Sequence, residues 1–248
     1  MAAKERIDKL LVQRQLAGSR ERARALILAG RVLVDDQTID KVGTQVDTTA
    51  AIRLRGEDIP FVSRGGLKLA KALNAFDLVV SGRTAIDVGA STGGFTDCLL
   101  QNGAARVFAV DVGYGQLAWK LREDKRVVNL ERTNIRHLAA EQLDAVPDLA
   151  VIDASFISLD KVLPVTLPLL KSGSDIVALI KPQFEVGKGK VGKGGVVRDP
   201  EQHVQVVEKI KLLAEQLGCQ VMDVCESPLL GPKGNHEFLI HLHKETVT

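Results

Sequence analysis

Residues 84–97 read TAIDVGASTGGFTD and contain the pattern that decides the fold. An apolar run ends at Asp87, a turn with Gly89 and Gly93 follows, and a stretch of helical character begins after the turn. A strand, a glycine-rich turn and a helix start in this order allow backbone N–H groups to approach a ligand closely. The stretch therefore predicts a cofactor-binding turn at the edge of a sheet.

Short apolar runs ending in Asp or Lys recur after this stretch. They are RVFAVDVG (106–113), LAVIDAS (149–155) and DIVALIK (175–181), and helical sequence lies between them. This alternation predicts a mostly parallel sheet with helices on both faces. VMDVCESP (221–228) and HEFLIHLHK (236–244) predict a terminal antiparallel hairpin. The fold class of this part is therefore α/β and Rossmann-like.

A smaller unit precedes this domain. Apolar residues recur at helical spacing over residues 6–16 and again after Ser19, which is a good helix N-cap, and Gly30 suits the end of the second helix. RVLVDD (31–36) and AIRLR (51–55) predict short strands. The pattern predicts a small α+β domain followed by a linker and the larger domain, with bounds at 1–58, 59–63 and 64–248.

Composition excludes several classes of protein. Three cysteines, an odd number without CxxC spacing, argue against both a disulfide framework and a zinc site. We expect no metal. The first 16 residues lack the apolar core of a signal peptide, and no apolar run approaches the roughly 20 residues of a membrane span. These features predict a cytoplasmic protein without a membrane partner.

Basic residues concentrate at the N-terminus although the net charge is only +2. Residues 1–34 hold eight Lys or Arg against three acids. Such an excess suits contact with phosphates, because each neutralised phosphate releases counterions. A solvated helical surface explains the same charges, and composition alone does not separate the two interpretations.

Acidic side chains and glycines around residue 87 leave two interpretations of the ligand site. Asp111 ends the next strand, where a carboxylate can bind both hydroxyls of an adenosine ribose, and the absence of GxGxxG favours a methyltransferase over a dinucleotide enzyme. Gly89-x-Ser91-x-Gly93 also has the form of a hydrolase nucleophile elbow. That alternative needs a later acid and histidine, for which Asp153 and His203 or His236 are available.

Four charged residues lie where the predicted sheet would place its active edge. Asp153 and Lys181 each close an apolar strand, Glu237 begins the last strand, and Lys68 lies on the predicted helix Leu67–Phe76. Ligands of such sheets bind at the carboxyl ends of the strands. Each charge alone is explained by solvation at a strand end. Together they indicate a catalytic group.

These four residues resemble the Lys-Asp-Lys-Glu tetrad of the FtsJ/RrmJ-type ribose 2′-O-methyltransferases. SRERARALILAGRVLVDD (19–36) is similar to an S4 RNA-binding domain. The order of an S4 domain and an FtsJ-like domain resembles the TlyA family over essentially the whole chain. The motifs that carry the resemblance are SRGGLKL, DVGASTGGFTD, DVGYGQLAWKLR, ERTNIR, DASFISL and KPQFEVGKG.

The resemblance implies methyl transfer from S-adenosylmethionine to the ribose 2′-hydroxyl of a cytidine in ribosomal RNA. Large-subunit RNA is the expected partner, and some members also modify the small subunit. Some members carry the name hemolysin, which the composition opposes, because no signal, membrane span or amphipathic membrane segment is evident. The family's linker signature, Arg-any-Trp-Val, is replaced here by Ile59-Pro60-Phe61-Val62.

The expected chemistry needs a group that takes or orients the hydroxyl proton. We expect Lys181 in this role, with its pKa lowered by Lys68 and by desolvation, Asp153 holding both lysines, and Glu237 orienting a lysine or the ribose. The residues expected at the cofactor are Asp87, Gly89, Ser91, Thr92, Gly93, Phe95, Asp111, Asn134 and Phe156. Those expected at the RNA are Arg6, Arg20, Arg24, Arg31, Lys41 and Arg64, and also Lys188, Lys190 and Lys193 in a glycine-rich loop.

Overall fold

Two units make up the chain, Met1–Pro60 and Phe61–Thr248. The computed structural model describes residues 3–55, 59–187, 191–192 and 194–245. The division falls inside the segment expected to be a linker, whose precise bounds stay a prediction.

The first unit combines two helices with short antiparallel strands. Strand β2 lies between β3 and β5, and β1 pairs with β4. Apolar residues of both helices, among them Ile7, Leu11 and Ile27, are fully buried in one core. The Ser19 hydroxyl accepts a hydrogen bond from the Arg22 N–H, and Gly30 has a φ of +64°, as expected for the two ends of the second helix. The elements are β1 (Lys4–Arg6), α1 (Ile7–Gln13), α2 (Arg20–Leu28), β2 (Val32–Val34), β3 (Gln37–Ile39), β4 (Gln45–Asp47) and β5 (Ile52–Leu54).

Strands and helices alternate through the second unit. Its strands are β6 (Thr84–Val88), β7 (Arg106–Val110), β8 (Val127–Leu130), β9 (Leu149–Ile152), β10 (Asp175–Ile180), β11 (Cys219–Glu226) and β12 (Phe238–Lys244). Its helices are α3 (Gly65–Ala75), α4 (Gly94–Gln101), α5 (Trp119–Arg122), α6 (Leu159–Thr166), α7 (Pro182–Glu185) and α8 (Pro200–Gln216). Short 3₁₀ turns occur at Ile135–His137, Ala140–Gln142, Leu167–Leu169 and Pro232–Gly234.

One seven-stranded sheet forms the centre of this unit, in the order β11-β12-β10-β9-β6-β7-β8. The five strands from β10 to β8 are parallel, and β12 runs antiparallel to both of its neighbours. The chain leaves β6 toward β7 on one side and later returns to β9 on the other side. The strand order therefore reverses at β6, where open α/β sheets bind their ligands. The predicted mostly parallel sheet with an antiparallel terminal hairpin is confirmed.

Side-chain alternation along β6 and β7 assigns one face of the sheet to each group of helices. Ile86, Val88, Phe108 and Val110 belong to the core that includes residues of α6 and α8. The Asp87 side chain points to the opposite face of the sheet, where it contacts α4 through Thr96. The helix carrying Lys68 runs from Gly65 to Ala75, slightly earlier than its predicted bounds, and β12 begins one residue after Glu237.

Candidate active site

The glycine-rich turn after β6 packs closely against the backbone just after β9. Gly89 has a φ of +87°, and a Cβ atom there would lie 2.9 Å from the Asp153 carbonyl oxygen. Gly93 has a φ of +92° and caps the N-terminus of α4. Both positions therefore require glycine. Ser91 and Thr92 between them are exposed, so the turn presents backbone and hydroxyl groups to the space above the sheet.

Asp87 is fully buried directly below this turn. The Thr96 hydroxyl donates to its Oδ2 at 2.6 Å, whereas Oδ1 has no hydrogen-bond partner among the described residues. Burial raises the pKa of Asp87 to about 7, against the lowering effect of the Thr96 hydrogen bond. A buried carboxylate with an unused oxygen fits a site whose ligand carries positive charge.

Asp111, at the end of β7, braces the turn from the side. Its Oδ2 accepts a hydrogen bond from the Ser91 N–H at 2.8 Å, and its Oδ1 accepts one from the Gly113 N–H at 2.6 Å. Asn134, after β8, accepts a hydrogen bond from the Arg136 N–H and so caps a 3₁₀ turn. Both residues lie beyond the carboxyl ends of parallel strands, a position that the sequence predicted for Asp111 but not for Asn134.

Two lysine–carboxylate pairs lie on the other side of the turn. Lys181 Nζ is 2.6 Å from Asp153 Oδ1, and Lys68 Nζ donates to Glu237 Oε2 at 2.6 Å. The four side chains are largely withdrawn from solvent, and that of Glu237 is fully buried. Asp153 was expected to hold both lysines, and this expectation is wrong: each lysine has its own carboxylate. The reason is that α3 directs Lys68 toward the start of β12, where Glu237 lies.

Ser155 is a member of this group that the sequence did not identify. Lys181 Nζ donates to the Ser155 Oγ at 2.8 Å. Ser155 follows Asp153 by two residues in an irregular segment, and Asp-x-Ser spacing carries no signal of its own. Only the fold shows that both side chains reach the same ammonium group.

A cleft of about 390 Å³ joins the turn to the two pairs. Such a volume is in the range of small-molecule and cofactor sites. All four tetrad residues line it, together with Ser155. Other residues that line it are Ser63, Arg64, Gly65, Gly89, Ala90, Ser91, Thr92, Gly94, Phe95, Leu229, Leu230 and Gly231.

Close packing of α3 against α4 fixes the wall that carries Lys68. A Cβ atom on Gly94 would lie 2.8 Å from the Gly66 nitrogen, so the two helices approach at glycine. The ring of Phe61 packs over Gly66, and the Val62 N–H donates to the Asp97 carboxylate at 2.8 Å. Phe61 and Val62 are thus fixed to this domain, although their sequence departs from Arg-any-Trp-Val.

Comparison with known proteins gives the same assignment for the whole chain. The model of the FtsJ-like methyltransferases matches residues 61–244, and that of the S4 domain matches residues 5–52. TlyA of Mycobacterium tuberculosis, a 16S/23S rRNA (cytidine-2′-O)-methyltransferase, is 51% identical over 247 residues, which cover 99% of this chain and 92% of TlyA. The chain belongs to the TlyA family of FtsJ-like methyltransferases.

Solved structures agree with membership of the TlyA family. A Streptococcus thermophilus protein, named provisionally as a hemolysin, has a TM-score of 0.78 at 44% identity, covering 99% of this chain and 90% of that one. An S-adenosylmethionine-dependent methyltransferase from Aquifex aeolicus has a TM-score of 0.51 at 22% identity, covering 74% and 94%. The second likeness shows the fold alone.

The hydrolase alternative is wrong for this TlyA-family chain. The Ser91 hydroxyl contacts Gln116, not a histidine. His203 bonds to the Val197 carbonyl and His236 to the Glu226 carboxylate. Asp153, the acid that a triad would need, is paired with Lys181. Among the residues that the structure describes, the glycine turn therefore lacks the partners that activate a nucleophilic serine.

Phe156 was expected to pack on the cofactor. Its side chain is 90% exposed at a φ of +64°, and its ring lies 5.3 Å from the ring of Phe184. Phe95, by contrast, is buried in the wall of the cleft. A cofactor contact of Phe156 stays a prediction to which the geometry adds no support.

The expected RNA-binding residues of this TlyA-family chain divide into four groups. Arg6 and Arg20 both pair with the buried Asp8, at 2.9 and 2.8 Å. Their hydrogen bonds hold the pKa of Asp8 down at about 2. The remaining residues are Arg24, Lys41 and Arg64, which are exposed; Arg31, which donates to the Arg55 carbonyl; and Lys188, Lys190 and Lys193, which lie outside the described residues.

Proposed function

We propose that this protein transfers a methyl group from S-adenosylmethionine to the ribose 2′-hydroxyl of a cytidine in ribosomal RNA. One observation carries the proposal. Two lysine–carboxylate pairs, Lys181 with Asp153 and Lys68 with Glu237, line the same cleft as the glycine turn of a methyltransferase fold. The 51% identity to a 16S/23S rRNA (cytidine-2′-O)-methyltransferase supports the substrate.

The residues around the glycine turn fit the cofactor. Gly89 and Gly93 allow the bend of the turn, because a side chain there would meet Asp153 or Leu121. Asp87 lies buried below the turn, and Asp111, which accepts a hydrogen bond from the Ser91 N–H, is the proposed partner of the ribose hydroxyls. Ser91, Thr92, Phe95 and Asn134 complete the proposed cofactor site. Bound there, S-adenosylmethionine supplies a methyl group already activated by its sulfonium charge.

Lys181 is the proposed acceptor of the hydroxyl proton. In its amine form, Nζ would take the proton of the 2′-hydroxyl while the ribose oxygen bonds to the methyl carbon; the carbon–sulfur bond would break at the same time, and its electron pair would stay on the sulfur, which becomes a neutral thioether. The ammonium that results is held by the Asp153 carboxylate and the Ser155 hydroxyl. These two partners and the Asp153 carbonyl oxygen, at 3.4 Å, fix the direction of Nζ. The long third contact is the one that the ribose oxygen is proposed to replace. This arrangement positions Lys181 Nζ toward the ribose 2′-oxygen.

Lys68 and Glu237 have a different proposed role. Glu237 is buried and cannot leave its lysine without a large cost in solvation. The pair therefore forms a rigid polar wall, from which Lys68 donates to the ribose or to a neighbouring phosphate. Positioning by a fixed wall is the main requirement when the transferred group is already activated.

The RNA is proposed to bind through Arg6, Arg20, Arg24, Arg31 and Lys41 of the S4 domain and through Arg64 at the cleft. With an rRNA substrate, the protein is expected in the cytoplasm. Across the residues that the structure describes, no helix is long and apolar enough to cross a membrane. In the same residues, no cluster of His, Cys, Asp or Glu is arranged to hold a metal ion.

Transfer of labelled methyl from S-adenosylmethionine to purified ribosomal subunits tests the proposal. The RNA is digested to nucleosides, and wild type is compared with Lys181→Ala. We expect label on 2′-O-methylcytidine with wild type, at least a hundredfold slower transfer with the variant, and little change in cofactor affinity. The mutation removes the proton acceptor and leaves the glycine turn intact.

Lys171→Ala is the matched control, because Lys171 also contacts a carboxylate, Asp148, but lies before β10. It should transfer methyl groups at the wild-type rate. Label on a base, or undiminished transfer by Lys181→Ala, would contradict the proposed chemistry. Absence of cofactor binding by wild type would reject the methyltransferase reaction altogether.

A further inference from the structure

A buried carboxylate near the cleft has no role in the chemistry proposed above. Glu185 is the last residue of α7, four positions after Lys181, and its side chain is 2% exposed. It does not line the described part of the cleft. Burying a carboxylate is costly, so its partners indicate what it holds in place.

Both carboxylate oxygens of Glu185 bind the end of the segment that follows β9. The Ser158 hydroxyl donates to Oε2 at 2.5 Å, and the Leu159 N–H donates to Oε1 at 2.8 Å. Ser158 caps α6 and Leu159 is its first residue. One side chain of α7 therefore fixes the point where the 153–158 loop becomes helix α6.

The other end of the 153–158 loop is fixed as well. The Asp153 N–H donates to the Val88 carbonyl at 3.0 Å, which ties the start of the loop to β6. Between these two attachments lie Asp153 and Ser155, both of which contact Lys181 Nζ. The loop thus meets the Lys181–Glu185 segment at two places, through the ammonium group and through the carboxylate.

Lys209 of α8 is a third partner of Glu185. Its Nζ lies 3.1 Å from the Glu185 carbonyl oxygen and 3.4 Å from Oε2, and its side chain is 49% exposed. Lys209 offsets the buried charge but does not contact the loop. Because buried ionic groups are often replaced by apolar residues without loss of stability, stability alone does not account for Glu185.

We propose that Glu185 is a positioning residue that holds the 153–158 loop against α7, so that Asp153 and Ser155 both reach Lys181. The inference rests on the proposed function, in which Lys181 takes the hydroxyl proton. A loop released from Glu185 leaves Lys181 with a variable set of partners, and misplacement by about 1 Å can cost a hundredfold in rate.

Four variants of the full chain test this role: Glu185→Leu, Glu185→Gln, Ser158→Ala and the control Lys209→Met. Glu185→Leu removes both loop contacts and fills the space. Glu185→Gln keeps one acceptor for the Leu159 N–H and should rescue part of the activity. Lys209→Met removes charge from the same carboxylate without touching the loop.

Methyl transfer and hydrogen–deuterium exchange of the free protein are measured for each variant. We expect kcat of Glu185→Leu to fall roughly ten- to a hundredfold, with KM for S-adenosylmethionine within about twofold of wild type. Exchange over residues 153–159 should accelerate in the same variant. Ser158→Ala should change both quantities in the same direction by less, and Lys209→Met should leave both near wild type.

Wild-type exchange over 153–159 together with wild-type kcat in Glu185→Leu would overturn the proposal. Equal losses in Lys209→Met would overturn it too, because they would assign the effect to the charge cluster and not to the loop. If Glu185→Leu does not fold, kcat and the exchange over residues 153–159 of Glu185→Gln and Ser158→Ala test the proposal instead. Failure of wild type to methylate RNA would refute the proposed function, whereas the exchange measurement still tests the loop attachment.

Discussion

Asp87 combines full burial with a position directly before the glycine turn. Its pKa of about 7 lies above the ordinary value of 3.8, because burial disfavours the carboxylate. Between pH 4 and 7 the folded protein keeps a proton that the unfolded chain has lost. This contribution to stability is therefore fully present below pH 4 and is lost as the pH rises through about 7.

We expect Asp87→Asn to remove this pH dependence in the absence of cofactor. The free energy of unfolding of wild type relative to the variant should decrease from pH 5 to pH 7, by at most about 1.4 kcal/mol per pH unit. Urea unfolding at several pH values measures the difference. Parallel stability curves for the two proteins would show that Asp87 does not titrate in this range.

At the scale of single residues, the sequence identified the chemistry but not the pairing. Asp153, Lys181 and Glu237 were predicted at strand ends and Lys68 on the helix before the first strand, and the four resemble the tetrad of the family. Which carboxylate holds which lysine depends on side-chain directions that only the packed sheet defines. Ser155 and the partners of Glu185 were missed for the same reason, since both depend on the path of an irregular loop.

The connection between β11 and β12 is the element that brings Glu237 to the cleft. A Cβ atom on Gly231 would overlap the Glu237 Oε1, so the loop passes its carboxylate at a distance only glycine allows. We expect Gly231→Ala to displace Glu237 from Lys68 and to lower kcat roughly tenfold or more, with cofactor affinity unchanged. Steady-state kinetics and calorimetric titration with S-adenosylmethionine measure the two effects.

Gly18→Ala is a suitable control for this substitution. A Cβ atom at Gly18 meets nothing within 4 Å, and the residue belongs to the other unit. Its kcat should equal that of wild type. An unchanged kcat for Gly231→Ala would mean that the Lys68–Glu237 pair tolerates displacement and is not needed for the reaction.

Element prediction succeeded where the apolar pattern was strong. Strands β6, β7, β9 and β10 are buried on both faces and appear in the sequence as continuous apolar runs. Strand β8 was missed, because it is a half-buried edge strand of four residues with Asn129 exposed. Strand β1, with the polar sequence Lys-Glu-Arg, gave no strand signal and is defined by its pairing with β4.

For the whole molecule, we expect RNA affinity and the methyl-transfer step to be separable. Arg24 and Lys41 are exposed on the S4 unit, and the tetrad lies in the other unit. Arg24→Ala and Lys41→Ala should each weaken rRNA binding and reduce the slope of log K against log salt by about one. At saturating RNA, kcat should stay within about twofold of wild type.

Filter binding at several salt concentrations and kinetics at saturating RNA measure these quantities. Lys211→Ala serves as the control, because Lys211 is a half-buried residue of α8 that pairs with Glu208, and it should leave the salt slope unchanged. A loss of kcat without a change in the slope would place the affected residue in the reaction and not in RNA attraction.

The Lys68–Glu237 contact joins residues 169 positions apart, and β12 follows every other strand of the sheet along the chain. At a synthesis rate of roughly 5–20 residues per second, Glu237 is made on the order of ten seconds after Lys68. Within that interval the glycine turn and the six strands β6 to β11 are made, but the cleft still lacks one wall. A nascent chain therefore acquires the glycine turn before the wall that Glu237 completes, so the proposed active site cannot form until the last strand of this sheet is being made.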